Sequence, residues 1–261
     1  MDFGIAGDSA LVTASSSGLG LASAIALAEE GANVAICSRD DARLAAAEKR
    51  VDQAGRGDVL AVEADITDPD HVKAFVEQTV AEFGGLDHVV TSAGGPPSGP
   101  FLDTLERDWY AAYDMLVMSA VWTAKAAQPH LEQSGAGTFV AITSLSVREP
   151  VEGLVLSNSV RKAVIGLVKT LSREFAPKIR VNAVLPGAHE TARFTELIEQ
   201  GVERGDLADY EEGLENWAED IPLNRIGDPR ELGDVVAFLS SERSSYVTGV
   251  SLPIDGGKLR S

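Results

Sequence analysis

Ala10-Leu11-Val12-Thr13-Ala14-Ser15-Ser16-Ser17-Gly18-Leu19-Gly20-Leu21 joins three local signals in twelve residues. A short apolar run, Ala10 to Thr13, reads as a buried strand. A turn of small residues follows and passes directly into a helical pattern from Leu19 to Glu30, which stops at Gly31. Small residues at such a turn let the backbone approach a pyrophosphate, and the helix start supplies free N–H groups and partial positive charge. A glycine-rich turn becomes specific when it follows a strand, opens a helix and begins an alternating chain.

The rest of the chain alternates in the same way. Strands are expected at Val34–Cys37, Val59–Val62, His88–Thr91, Thr138–Ile142, Val181–Val184 and Val250–Pro253. Between them lie helical patterns at Arg43–Gln53, Pro69–Phe83, about Trp109–Leu131, Ser159–Phe175 and Glu231–Leu239. Short apolar strands separated by helices predict a parallel sheet of about seven strands with right-handed crossovers, a doubly wound Rossmann-type α/β sandwich. No repeat, linker or low-complexity stretch divides the chain, so residues 1–261 are expected to form one dinucleotide-binding domain. The acidic segment Ala192–Ile221 is too long for a plain connection and predicts a lid with short helices of its own.

Composition narrows the function classes. With 44% hydrophobic residues the chain has enough apolar content for a full core, and the lone Cys37 excludes a disulfide scaffold. Asp and Glu number 40 against 22 Lys and Arg, a formal charge of −18 that repels nucleic acid and anionic lipid. Only seven of the cations are lysine. Clusters such as Asp209-Tyr210-Glu211-Glu212 read as solvated helix faces, either ordinary acidic variation or adaptation to a halophile's high salt; the second is preferred because so large an excess destabilises a fold at low ionic strength. No unbroken apolar run reaches membrane-spanning length. The opening Met1-Asp2-Phe3-Gly4 has no basic leader, and a cytoplasmic location is expected. No metal site is expected.

On its spaced motifs the chain resembles the short-chain dehydrogenase/reductase family over nearly its full length. Thr13-Ala14-Ser15-Ser16-Ser17-Gly18-Leu19-Gly20 matches that family's Thr-Gly-x-x-x-Gly-x-Gly turn, with Ala14 where glycine is usual. If that position requires positive φ, alanine costs on the order of 1 kcal/mol. The resemblance implies adenine contacts at Asp65-Ile66 and places Thr91-Ser92-Ala93-Gly94 in the slot after the fourth strand. It also implies contacts of Pro186-Gly187 and Thr191 with the nicotinamide carboxamide, and Tyr246-Val247-Thr248-Gly249 and Asp255-Gly256-Gly257 repeat the family's closing pattern. Thr13, Ser15, Ser17, Gly18, Leu19, Gly20, Ala93 and Gly94 are thereby expected at the cofactor. At the end of the second strand, Ser38 and Arg39 offer a hydroxyl and a planar guanidinium suited to a 2′-phosphate, so NADP(H) is expected over NAD(H). The other reading of Arg39 is a surface pair with Asp40 or Asp41.

At the catalytic end the pattern breaks. The family's Asn-Ser-Tyr-Lys set couples proton transfer from the phenol to hydride transfer at the nicotinamide, with the lysine lowering the phenol's pKa and holding the ribose. Here Lys162 is assigned the lysine slot, Asn158 the tyrosine slot and Leu116 the relay asparagine. The family's serine lies thirteen residues before the tyrosine, which lands on Leu145; a one-residue shift brings Ser144 or Ser146 into place, and Ser144, directly after the strand, is preferred. A carboxamide donates and accepts hydrogen bonds but has no proton-transfer pKa near neutrality. Tyr210 in the lid and His189 are further titratable candidates, whereas Tyr110 and Tyr113 are expected to pack or serve an interface.

The resemblance therefore implies an NADP(H)-dependent oxidoreductase interconverting a small-molecule carbonyl and an alcohol by atypical proton transfer, similar to the 3-oxoacyl-acyl-carrier-protein reductase and glucose dehydrogenase branches. The alternative is a catalytically impaired dinucleotide-binding protein, a redox sensor or assembly partner. The long helix from Trp109 and the Ser159–Phe175 helix resemble the family's four-helix interfaces, and a homotetramer or homodimer is expected. If the acidic excess reflects salt adaptation, the unfolding temperature rises between ~0.1 M and ~2 M KCl, and a fall over that range removes the reading.

Overall fold

The computed structural model describes residues 2–260. Seven strands run in chain order as β1 (Ser9–Val12), β2 (Asn33–Ser38), β3 (Val59–Glu63), β4 (His88–Thr91), β5 (Gly137–Ile142), β6 (Ile179–Pro186) and β7 (Ser251–Ile254). All pair in parallel, in the order β3-β2-β1-β4-β5-β6-β7, so the direction of winding reverses between β1 and β4. This is the expected doubly wound α/β architecture.

The strands form because their side chains are apolar on both faces. β1, β4 and β5 are buried at every residue. Leu11, Val89, Phe139 and Val181 point to one face. There they meet α3 (Pro69–Phe83), α4 (Glu106–Tyr113), α5 (Ser119–Ser134) and α6 (Val155–Glu174) through residues such as Phe75, Ala112, Leu131 and Val164. Val12, Val34, Val90 and Val140 point to the other face, against α1 (Gly18–Glu29), α2 (Asp41–Ala54) and α9 (Pro229–Ser240). Local chemistry sets several helix ends. Asp40 and Asp68 cap α2 and α3 through their side chains, Pro69 opens α3, and Gly84 closes it at φ 81°.

Two expected helices differ in a way that bears on the site. The long helix starts at Glu106 and is divided by a wide π turn over Asp114–Met118, which turns the adjacent Leu116 and Val117 both inward. The helix expected from Ser159 starts at Val155, one turn earlier. The segment 192–221 carries α7 (Ala192–Arg204) and α8 (Tyr210–Glu219). Both pack on a small core of Phe194, Ile198 and Ile221, with Phe194 edge-on to Trp217 at 5.5 Å between ring centroids. Among the described residues no helix is long and apolar enough to cross a membrane.

Ala14 sits at φ 45°, in the left-handed region that glycine adopts without penalty. Ala14→Gly is expected to stabilise the fold by about 1 kcal/mol, or roughly 2–4 °C in thermal unfolding. An unchanged or lower midpoint would mean that the turn is not strained.

Candidate functional site

A cleft of about 270 Å³ opens beyond the carboxyl ends of β1, β4, β5 and β6. Ser17, Gly18, Leu19, Gly20, Ala93, Gly94, Ser144, Pro186, Gly187 and Thr191 all line it. Close approach explains the small residues. A Cβ on Gly20 would lie 2.8 Å from the Ala14 carbonyl oxygen, and Gly18 has φ 56°. Ser17 precedes α1 without capping it through its side chain, so the first N–H groups of the helix face the cleft unused. This cradle has the shape and polarity to hold a pyrophosphate.

Thr13 and Ser15 act one layer deeper. Thr13 Oγ1 donates to the Ser92 carbonyl at 2.7 Å and accepts from Ser92 N at 2.9 Å, which ties β1 to β4. Ser15 Oγ donates to the Val12 carbonyl and accepts from Cys37 N, which ties β1 to β2. Neither lines the cleft. Burial pushes the adjacent Cys37 thiol up to about 12, so it offers no thiolate.

Ser38, Arg39, Asp65 and Ile66 lie at the ends of β2 and β3, outside the cleft proper. Arg39 pairs with Asp65 at 3.6 Å, whereas Asp40 is engaged in capping α2 and pairing with Arg43. Burial alone would raise the Asp65 carboxyl. Hydrogen bonds from Thr67 and the nearby Arg39 outweigh it and hold the group below the usual carboxylate range.

At the catalytic end the structure corrects the assignment of Asn158 and Lys162. Asn158 turns its carboxamide to the Val151 backbone, accepting from its N–H at 3.1 Å and donating to its carbonyl at 2.7 Å. Lys162 is exposed to solvent. Neither lines the cleft; Ser157 and Arg161 do. The physical reason is helical phase. One residue along a helix is a rotation of about 100°, so Ser157 and Arg161, four apart, share the inward face while their successors point elsewhere. Ser144 also stands thirteen residues before Ser157, the family's spacing without any loop shift. That spacing was the signal that an anchor on Lys162 obscured.

Arg161 is 8% exposed. Its Nε donates to Ser157 Oγ at 3.2 Å, Nη1 to the Thr143 carbonyl at 3.1 Å and Nη2 to the Gly94 carbonyl at 3.0 Å. Burial, and then the nearby Arg193, push the guanidinium down to about 10, so it stays charged at neutral pH. Ser146 Oγ lies 3.4 Å from Ser157 Oγ, and Ser144 Oγ accepts from Ser146 N at 3.1 Å. Leu116 is buried and, with Arg161, borders a space of about 10 Å³, the size of a single water at most.

Tyr110, Tyr113 and Tyr246 are exposed, and Tyr210 lies 3.4 Å from Thr195 Oγ1 in the α7–α8 core; among the described residues no tyrosine lines the cleft. His189 lines the cleft wall with its Nδ1 3.2 Å from the Gly187 carbonyl, which only accepts, so Nδ1 carries the proton and Nε2 is left as an acceptor. Burial holds its pKa below the usual imidazole value. Arg193, a lone cation in the first turn of α7, was not anticipated. It donates to the Pro96 carbonyl at 2.9 Å, pairs with Glu196 at 3.2 Å and crosses the face of Gly95. With Ser98 Oγ donating to Gln200 Oε1 at 2.5 Å, it fastens α7 to the loop after β4.

Residues 13–258 match the protein family described as Enoyl-(Acyl carrier protein) reductase. The chain is 33% identical over 259 residues to human "Dehydrogenase/reductase SDR family member 4", covering 95% of this chain and 86% of that protein. It superposes on L-sorbose reductase from Gluconobacter frateurii, solved with NADPH and L-sorbose, with a TM-score of 0.94 at 32% identity over the full length of both chains. NAD+-bound xylitol dehydrogenase gives a TM-score of 0.91 at 28% identity, covering 97% of this chain and 100% of that one. The chain belongs to the short-chain dehydrogenase/reductase family of oxidoreductases.

Proposed function

We propose that this chain is an NADP(H)-dependent oxidoreductase that interconverts a small-molecule carbonyl and an alcohol. The observation that carries the reading is the open cradle at Ser17–Gly20, continuous with a cleft floored by Ser144, Ser157 and Arg161. In this reading the backbone of Ser17, Gly18, Leu19 and Gly20 holds the pyrophosphate, Asp65 and Ile66 flank the adenine, and Ala93, Gly94, Pro186, Gly187 and Thr191 border the nicotinamide end. Ser38 and Arg39 receive the 2′-phosphate. Related structures hold NADPH in one case and NAD+ in another. The guanidinium of Arg39, which is 72% exposed and fixed by Asp65, favours the phosphorylated cofactor.

The nicotinamide supplies or accepts a hydride when bound. The chain's own residues orient the reacting oxygen: Ser157 Oγ accepts from Arg161, which leaves its proton free to donate, and Ser144 adds a second hydroxyl. These hydroxyls polarise a carbonyl but do not titrate near neutrality. Relative to a phenol acid, turnover loses on the order of 10²–10⁴-fold. That missing acid, with Leu116 closing the water relay, favours a second reading, a dinucleotide-binding sensor or assembly partner with impaired chemistry.

Fluorescence titration with NADPH and NADH tests the cofactor, and oxidation of bound NADPH by a carbonyl panel at high salt tests the chemistry. Arg39→Asp is expected to weaken NADPH by about 10- to 100-fold and NADH far less; equal losses count against the assignment. Tight NADPH binding with no oxidation above background leaves the sensor reading.

The exposed apolar residues Phe101, Leu102, Leu105, Tyr110 and Tyr113 before and along α4, and Tyr246, Val250 and Leu252 beside β7, support a homotetramer. β7 is also an edge strand. The acidic surface fits a protein kept in concentrated salt, and the location proposed is cytoplasmic. Light scattering in multimolar KCl is expected to give the tetramer mass, and a monomer mass rejects it.

A further inference from the structure

Beside the cleft lies a second chamber of about 430 Å³, and the two cavities share a wall. Leu145, Val151, Ala188 and Trp217 border both. Leu145 is buried just after β5, and Val151 and Ala188 have short side chains, so the indole of Trp217 supplies the bulk of the partition. The spaces on its two sides differ in chemistry. The cleft has hydroxyls on its floor and Leu154, Phe194 and Leu197 on its walls. The second chamber is bordered by Glu149, Glu152, Asn216, Asp220 and Lys258, with Lys258 pairing with Asp220 at 2.6 Å.

Trp217 is held in position from behind. Its ring meets Phe194, itself 5% exposed, edge-on at 5.5 Å with an interplanar angle of 80°. α8 is seated on α7 where Gly213 packs against Ile198 with no room for a side chain, and Trp217 follows one turn later on the same face. Size then decides what fits. At about 270 Å³ the cleft is smaller than the roughly 300–1,000 Å³ of typical small-molecule pockets, and in the proposed reading it holds the nicotinamide end as well. With the second chamber joined to it, the space falls well inside that range.

We propose that Trp217 is a specificity-determining residue. It walls the second chamber off from Ser144 and Ser157, so that the site takes a compact carbonyl or alcohol, one small ring or a short chain, and rejects extended molecules by steric clash. The inference rests on the proposed reading of the cleft as a dinucleotide-dependent reaction site and names its substrate class by size.

The test compares cyclohexanone with 4-phenylcyclohexanone, which present the same reacting group and differ by one ring. Both are titrated calorimetrically into the full chain loaded with NADP+, and both are offered as oxidants of NADPH. The unaltered chain is expected to favour cyclohexanone at least about tenfold, in binding and, where turnover is measured, in kcat/KM. Trp217→Ala joins the chambers and shifts that ratio at least about tenfold toward the larger ketone. Trp217→Leu, which keeps an apolar contact with Phe194, shifts it the same way by less and decides the matter if the alanine variant does not fold. A purely structural loss lowers both ketones together and leaves the ratio where it was. Equal handling of the two ketones by the unaltered chain overturns the proposal whether or not the variants fold. So does an unchanged ratio in a folded variant, and so does a failure of both ketones to bind. NADPH binding is followed separately by its fluorescence. A chain that binds no NADPH loses the dinucleotide reading and this inference with it, whereas one that binds NADPH without discriminating between the ketones loses the inference alone.

Discussion

Two reciprocal hydrogen bonds between Thr13 and Ser92 hold the carboxyl ends of β1 and β4 together at the point where the sheet reverses its winding. On either side of that point the crossovers leave in opposite directions, so no connection covers the strand ends and a crevice must open there. The glycine-rich turn lies on one wall of the crevice and the start of α6 on the other. Everything proposed for the cleft depends on this seam. The small side chains around it follow from how closely α1 approaches the turn, where a single added methyl at Gly20 would meet the Ala14 carbonyl.

The distribution of charge is as informative as the fold. Acidic side chains occupy the solvated faces, while among the described residues none lines the cleft and two guanidiniums do. Arg193 is a fastener: it ties α7 to the loop after β4 and shares its charge with Glu196. Arg161 is a different kind of group. Its three carbonyl and hydroxyl partners join α6 to the ends of β4 and β5, so it orders the floor of the cleft while remaining a net cation within it. A lysine there has a flexible stem and one compact charge; a planar guanidinium bridges three acceptors at once and does not give up its proton.

A site built from serine hydroxyls and an arginine is electrostatic more than acid–base in character. It orients and stabilises negative charge on oxygen in a low-dielectric space. Serine hydroxyls and a buried guanidinium have no proton affinity that matches neutral pH, and among the described residues no tyrosine lines the cleft.

Much of this was legible in the amino-acid order. Alternating apolar runs and helical patterns determined the seven-stranded doubly wound sheet, because strands buried on both faces leave a period that needs no neighbour to be read. The turn at Thr13–Gly20 and the positive φ at Ala14 were likewise local, set by backbone sterics within eight residues. The phase of α6 was not. Asn158 and Lys162 look like the reactive pair when spacing is counted from the lysine, whereas the thirteen-residue spacing from Ser144 points to Ser157, and packing decides between them by turning Ser157 and Arg161 inward. Where a helix begins and which face it buries are decided by distant partners, here Gly99 against Leu154 and the carbonyls of Gly94 and Thr143, which no local propensity encodes.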